Sequence, residues 1–184
     1  AIFVASPSFV YSTVFSMNLA ELLPHITIGF ISWNLIAGSL APMPGLFQTY
    51  SSYITQKNLP FTLYVVANAS EKLMIFIFQS VVIWLVCCII QTGVSPALLI
   101  LPISIALIFI TAISASFSIA LVAIKYRDLG QIINSSLLLI FLLTPIIWKS
   151  EFSGQRKFIV DLNPFYHYIH VIRAPILDHQ VPWV

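Results

Sequence analysis

The longest stretch without a charged residue lies between Lys72 and Lys125 and contains 52 residues. No charge lies between Glu21 and Lys57 either. A bilayer core about 30 Å thick needs roughly 20 apolar helical residues at 1.5 Å each. The longer stretch therefore holds two membrane spans and a turn, and the chain is predicted to be an all-α, polytopic membrane protein.

Composition excludes several other classes. Of the 184 residues, 59% are hydrophobic and 8% are charged, whereas a soluble domain carries about 25% charged residues. Such a chain cannot cover a globule in water, which excludes a soluble enzyme, a secreted disulfide scaffold and a disordered tail. A net charge of +2 is too small to indicate a nucleic-acid partner. Cys87 and Cys88 are interpreted as apolar packing residues, because adjacent cysteines rarely form a disulfide.

Turn-forming residues divide the chain into about five predicted spans. Proline and glycine at 42–45 and 93–96 end helices, because proline cannot continue the hydrogen-bond ladder, and a polar turn is predicted at 17–24. The chain begins without Met and without a basic stretch, so we expect the beginning of the first span to be missing. The predicted spans are residues 1–16, His25–Leu40, 73–91 (continuing a helix that begins near Phe61), Ala97–Ile124 and 129–148.

Residues 46–58 differ from the spans. Apolar side chains recur there at helical spacing, and polar side chains occupy the opposite face. The segment of 13 residues is too short and too polar to span, so it is predicted to be an amphipathic helix at the membrane surface. At the edge of the next span, Glu71 and Lys72 are predicted to reach towards the headgroups.

The segment 149–178 is also not predicted to span. Asn163 and Pro164 have the pattern of a helix start, with an Asn cap followed by proline, and Pro175 is expected to stop or kink that helix. With three ionisable side chains among a dozen residues, the helix is expected to lie on the membrane or fold back into it. His167 and His170 are three residues apart, but no third ligand has a convincing position, so no metal site is predicted.

Positive charge does not select an orientation. Counting spans places loops 42–60 and 125–128 on one side, and 17–24, 92–96 and the tail from 149 on the other. Lys and Arg residues are divided almost equally between the two sides, although their asymmetry normally marks the cytoplasm.

Four separated motifs give a more specific indication. In chain order they are Lys125–Ile133, Leu143–Trp148, Leu162–His167 and Val171–Leu177. Together with Thr27–Asn34 and Lys57–Pro60 upstream, they resemble the ABC-2 type permeases that export O-antigen and capsular polysaccharides. The resemblance covers nearly the whole chain. Permeases of that family usually have six spans, so residues 1–184 are expected to be a single permease domain without its N-terminal start and last span.

The resemblance implies an inner-membrane exporter of bacteria. In that family two permeases and two separate ATPase subunits move lipid-linked polysaccharide across the lipid bilayer. The ATPase docks on a cytoplasmic helix between the second and third spans, which here is 46–58; an ordinary surface helix is the alternative. The candidate docking residues are Leu46, Phe47, Tyr50, Tyr53 and Lys57.

The resemblance also assigns the two ends of the bundle. The run Lys125, Tyr126, Arg127 and Asp128 falls on the cytoplasmic side, either as a coupling motif or as a simple anchor with a surface ion pair worth about 0–1 kcal/mol. Segment 149–178 falls on the periplasmic side as gate-like helices. Arg173 could meet a lipid pyrophosphate there, since Arg suits phosphate. The candidate exit-gate residues are Asn163, Pro164, Phe165, Tyr166, His167 and Arg173.

Aromatic residues are candidates for the channel lining, because the C–H faces of sugars stack on aromatic rings. Lipid-facing aromatics at the membrane interface are the alternative. The candidates are Phe9, Tyr11, Phe15, Trp33, Phe141 and Trp148.

The sequence contains no G-x-x-x-x-G-K-[S/T] run, so no phosphate-cradling loop is predicted and a partner must bind ATP. The chain is therefore expected to be a transport subunit without a cofactor or catalytic site of its own. Near alternatives are permeases for teichoic acid or drugs. More distant ones are a structural scaffold and a glycosyl or lipid transferase, although a transferase needs carboxylates or a base together in a cleft.

Overall fold

The computed structural model describes residues 19–56, 59–91, 93, 95–126, 128–148 and 157–179, which form helices and turns and contain no strand. The predicted all-α class is confirmed. The helices are α1 (Leu19–Leu40), α2 (Leu46–Thr49), α3 (Ser51–Gln56), α4 (Phe61–Ile90), α5 (Leu101–Lys125), α6 (Leu129–Leu143), α7 (Lys157–Asp161) and α8 (Pro164–Leu177), with 3₁₀ turns at Met43–Gly45 and Pro96–Ile100.

Three helical stretches in the described part of the chain are long and apolar enough to cross a membrane, namely Ala20–Thr49, Phe61–Ile90 and Pro96–Lys125. The apolar helix α6 is shorter, with 15 residues, or about 22 Å. A polytopic helical membrane protein is therefore confirmed. The first predicted span, 1–16, lies outside the described residues.

Helix α1 is the centre of the bundle. It packs against α4, α5, α6 and α8, and it contributes Ile28, Ile31 and Leu35 to the main core. The outer faces of α4 and α5 instead carry large exposed apolar side chains, among them Phe78 and Ile110. Such faces require an apolar surrounding, which the acyl chains of a bilayer provide.

The predicted start of the second span, at His25, differs from the structure. Residues 19–24, predicted as part of a turn, are helical, and Pro24 lies inside α1. Proline there removes one ladder bond near the end of the helix, which membrane helices tolerate. The predicted span from Ala97 to Ile124 is confirmed as the stretch Pro96–Lys125: Ser95 accepts a hydrogen bond from the Ala97 amide, Pro96–Ile100 forms a 3₁₀ turn, and Pro102 lies in the first turn of α5.

The prediction of one span over 129–148 was wrong in its extent. Helix α6 ends at Leu143, and Thr144 has an extended backbone with ψ 132°. The residue before a proline is disfavoured in the α conformation, so Pro145 accounts for the break. Residues 144–148 continue as bends.

The prediction of one helix over 46–58 was also wrong. The chain forms two short helices, α2 and α3, that meet at Tyr50. Hydroxyl side chains flank that position, and Thr49 Oγ1 donates to the Gly45 carbonyl at 3.0 Å. Hydroxyls that bond nearby main-chain groups compete with a regular helix. Lys57 and Asn58 lie outside the described residues.

The two ends of the bundle contain the loops that span counting assigns to opposite sides. At one end, a Cβ added to Gly130 would lie 3.5 Å from Pro44 Cβ. At the other, Ser95 Oγ donates to the His179 carbonyl at 3.4 Å. We call these the docking end, which contains α2 and α3, and the far end, which contains the last residues of α8.

Candidate functional site

The inner face of the α2–α3 connector is embedded in the bundle. Leu46 is buried and packs in a small core with Met43, Tyr64, Val65 and Ala120. Apolar burial of this kind stabilises the connector against α4 and α5. The connector joins α1 to α4 in sequence and is attached by its apolar side to α4 and α5.

Aromatic rings continue this attachment outwards. The Tyr50 ring lies 5.2 Å from the Tyr64 ring and 6.4 Å from the Tyr53 ring, and the Phe47 ring lies 5.2 Å from that of Phe61. Tyr64 is buried, whereas the Tyr53 side chain is 58% exposed. A partner that contacts Tyr53 is therefore connected to the buried side of α4 by two successive ring contacts, Tyr53 with Tyr50 and Tyr50 with Tyr64.

The outer face of the connector is uncharged and polar, apart from the Tyr53 ring. Of the predicted docking residues, Leu46 is buried, Phe47 and Tyr50 are half-buried, Tyr53 is exposed, and Lys57 lies outside the described residues. The exposed set, which we call the docking surface, comprises Gln48, Thr49, Ser51, Ser52, Tyr53, Thr55 and Gln56.

The predicted cytoplasmic motif lies at the same end. Lys125, Tyr126 and Asp128 are exposed, and Arg127 lies outside the described residues. The Lys125 ammonium is 5.6 Å from the centroid of the Tyr126 ring, a contact worth about 0.5–1 kcal/mol at an exposed site. Its described residues lie where α5 ends and α6 begins.

Helix α8 begins where the sequence predicts. Asn163 caps it by accepting a hydrogen bond from the Phe165 amide at 3.0 Å, and Pro164 occupies its first position. The same Asn163 side chain donates to Thr144 Oγ1 at 2.8 Å. One residue therefore starts the helix and ties it to the break after α6. The helix ends at Leu177, with Pro175 inside it.

Arg173 lies inside the protein. It is 6% exposed, and its Nη1 and Nη2 donate to the carbonyls of Pro145 and His25 at 3.1 and 3.2 Å. Burial lowers the pKa of Arg173 to about 10, while Tyr166 and Asp178 raise it. The guanidinium is therefore still charged at neutral pH. This is not the exposed position that contact with a lipid pyrophosphate needs.

Gly29 provides the space for this guanidinium. A Cβ at Gly29 would lie 2.6 Å from Arg173 Nη2, 3.1 Å from Ile146 Cγ2 and 3.2 Å from the Ile146 carbonyl oxygen. The neighbouring His25 ring supports the same junction, because its Nε2 lies 3.3 Å from the Trp148 carbonyl oxygen. We call the junction of Gly29, Arg173 and Pro145 the arginine junction; it joins α1, α8 and the segment after α6.

Histidines lie along the other face of α8. The Tyr166 ring lies 5.4 Å from the His167 ring and 5.5 Å from the His170 ring, and His167 Nε2 lies 2.7 Å from the Asp161 carbonyl oxygen. Burial lowers the pKa of His170, Asp178 raises it, and Arg173 and His167 lower it further. In the part of the chain that the structure describes, no three His, Cys, Asp or Glu side chains come together to hold a metal.

Two of the aromatic candidates, Trp33 and Phe141, contact each other. Phe141 lies 5.5 Å from both Phe30 and Trp33, measured between ring centroids, and Trp33 lies 5.7 Å from Phe165. These half-buried rings connect α1, α6 and α8 beside the main core. Trp148 is also half-buried, whereas Phe9, Tyr11 and Phe15 lie outside the described residues.

Sequence reasoning assigned no role to Gly29 or Thr144. A glycine inside a helix costs about 1 kcal/mol relative to alanine, so Gly29 indicated a packing requirement. The pair Thr144-Pro145 likewise indicated a helix end. The local sequence pattern could identify both residues. It could not show that Gly29 contacts Arg173 of α8 and that Thr144 contacts Asn163, the cap of α8.

Residues 1–177 match a family model described as ABC-2 type transporter. No curated protein matches the chain.

Proposed function

The chain belongs to the ABC-2 type transporter family, and we propose that its cargo is lipid-linked polysaccharide, of the O-antigen or capsule type, carried out across the inner membrane of a bacterium. As a member of that family it is a multi-pass membrane permease of an ABC exporter, and ATP is hydrolysed by a partner subunit. The cargo, the docking residues and a second permease copy are the parts of this assignment that we propose.

One observation supports the polysaccharide assignment. Four of the segments that resemble polysaccharide exporters meet in space. Asn163 donates to Thr144, Arg173 donates to the Pro145 carbonyl, and Gly29 of α1 leaves room for the Arg173 guanidinium. A resemblance carried by residues that contact one another is stronger than the same residues scattered over the molecule, because the contacts require them together.

The docking surface is proposed to bind the ATPase in the cytoplasm. It is exposed, and its Tyr53 ring leads through Tyr50 to Tyr64 inside the bundle. Movement of a bound ATPase would therefore displace α4 through packed rings. Lys125, Tyr126 and Asp128 lie at the same end, and with Arg127 they are proposed to border the docking site.

The far end is proposed to face the periplasm. The last residues of α8 lie there, and the helix runs from the far end into the bundle against α1 and α5. Its residues Asn163–His167 and Arg173 are proposed to form the exit gate. A second permease copy would complete the channel, with Phe9, Tyr11, Phe15, Phe141 and Trp148 offering rings to sugars.

Deletion of the gene that encodes this chain tests the proposal. We expect a surface polysaccharide to disappear and its lipid-linked form to accumulate inside the cell. We expect the surface polysaccharide to return when the gene is restored. A surface polymer that is unchanged, with no internal accumulation, would contradict the assignment. A lost polymer made of polyol phosphate would favour teichoic-acid export, and altered drug sensitivity alone would favour drug export.

A further inference from the structure

An open groove lies between α1 and α4 towards the docking end. It has a volume of about 390 Å³. Asn34, Lys72 and Gln79 are the three polar side chains of its lining, which is completed by Leu35, Gly38, Ala41, Pro42 and Ile75. The groove is separate from the arginine junction and from the docking surface.

The charges and amides of the groove are paired. Lys72 Nζ lies 2.8 Å from Glu71 Oε1, and Asn34 Nδ2 donates to Gln79 Oε1 at 3.3 Å. Gly38 provides room for the lysine stem, since a Cβ there would lie 3.6 Å from Lys72 Cδ. The groove therefore presents two amides and one lysine among apolar neighbours, and the lysine charge is balanced by Glu71 beside the groove.

Its polar residues extend below the membrane surface. The uncharged part of α4 begins at Leu73 and runs to Ile90, or about 27 Å at 1.5 Å per residue, close to the thickness of a bilayer core. Lys72 therefore lies at the edge of the hydrocarbon. Gln79, seven residues further along α4, lies about 10 Å deeper, and Asn34 contacts it from α1.

Acyl chains are a poor occupant for such a groove. An amide has two N–H donors and a carbonyl acceptor, and the hydrogen bond between Asn34 and Gln79 satisfies only one donor and one acceptor lone pair of the two side chains. Polar groups that remain unpaired in hydrocarbon are costly, and polar side chains at membrane depth usually face water or a ligand. The occupant must therefore offer hydrogen-bonding groups to the two amides.

We propose that this groove binds the hydroxyl groups of an uncharged sugar residue in the cargo as it enters from the docking end. The inference rests on the polysaccharide cargo proposed above. Sugar hydroxyls both donate and accept, which matches Asn34 and Gln79, and Lys72 adds a donor, while the apolar lining residues suit the C–H faces of a sugar. A polyanionic chain would meet a lysine that is already paired with Glu71, and an apolar drug would leave the amides unsatisfied.

Cysteine labelling tests whether the groove is aqueous. In a background with Cys87→Ala and Cys88→Ala, Gln79→Cys is compared with Phe78→Cys, because Phe78 is adjacent, at similar depth, and 71% exposed on the apolar face. The permease–ATPase complex in inside-out vesicles is treated with a cationic thiosulfonate reagent. We expect Gln79→Cys to react at least tenfold faster; equal rates would overturn the proposal.

Protection by cargo tests the ligand class. The probe is the lipid-linked polymer extracted from cells that lack the chain, added to the same vesicles. We expect the sugars of this polymer to be uncharged. We expect the polymer to slow labelling at position 79 at least threefold and to leave the labelling rate at position 78 unchanged. A polymer rich in phosphate or uronate, or a labelling rate at position 79 that the polymer does not change, would overturn the proposed sugar-binding groove but not the proposed export of polysaccharide. If no polymer accumulates, the polysaccharide assignment itself fails, and equal labelling rates would still refute an aqueous groove.

Discussion

Gly29 and Arg173 are complementary across the contact between α1 and α8: the guanidinium occupies the space that a side chain at Gly29 would fill, with 2.6 Å between a Cβ added there and Nη2. From this position Arg173 donates to the carbonyls of His25 and Pro145. The two bonds come from one rigid, planar group, so they fix where α8 lies relative to α1 and to the end of α6.

Gly29→Ala is expected to destabilise the protein by about 1–3 kcal/mol, because the added methyl overlaps the guanidinium and the Ile146 main chain. The measurement is thermal unfolding of the purified permease in detergent. Gly38→Ala is the matched control, since its Cβ would meet the Lys72 stem at an ordinary 3.6 Å. Equal unfolding temperatures for the two variants would show that the space at Gly29 is not required.

The cap of α8 can be separated from its link to α6. Asn163→Ala removes both hydrogen bonds and is expected to cost about 0.5–2 kcal/mol. Asn163→Asp keeps the oxygen that accepts from the Phe165 amide but removes the donor to Thr144. We expect the aspartate variant to lie between the wild type and the alanine variant in thermal stability; an aspartate variant as unstable as the alanine variant would make the Thr144 bond the main contribution.

Acid is expected to destabilise the protein partly through His170. Its pKa is lowered in the folded chain, so the unfolded chain binds more protons once the pH falls below the ordinary value of 6.5. Stability is then lost as the pH falls from 6.5 towards the folded pKa, and is unaffected by this residue above that window. Thermal unfolding between pH 7.5 and 5 should decrease less in His170→Gln than in the wild type. Identical decreases would exclude this contribution.

Tyr53→Glu is expected to weaken assembly with the ATPase, because it places a charge in the middle of the docking surface while leaving the buried contacts of Leu46 intact. The measurement is co-purification of the two subunits and ATP hydrolysis stimulated by the permease. Gln91→Glu, an exposed position at the far end, is the control and should assemble normally. Undiminished assembly of the Tyr53 variant would refute the docking assignment.

Several elements could be predicted because their causes are local. Charge-free stretches marked the long helices, the Asn163-Pro164 pair marked the start of α8, and prolines and glycine marked the turn at Met43–Gly45. Each of these depends on a residue and its immediate neighbours. The break at Thr144 was also local, but the apolar residues that follow it, Ile146 and Ile147, made the segment look like a continuing span.

The arginine junction could not be predicted, because it joins residues 148 positions apart. The family resemblance suggested that Arg173 would meet a lipid pyrophosphate, whereas tertiary packing places it against two carbonyls. The same limit applies to Leu46: spacing grouped it with Tyr53 on an apolar face, but only the packed structure shows that Leu46 lies inside and Tyr53 outside.

Sidedness is the most direct test of a membrane-spanning permease whose docking surface is cytoplasmic. In a background without Cys87 and Cys88, Ser52→Cys and Gln91→Cys are labelled with a membrane-impermeant maleimide in spheroplasts and in inside-out vesicles. We expect position 52 to react only in inside-out vesicles and position 91 only in spheroplasts. Reaction of both positions from the same side would contradict the account.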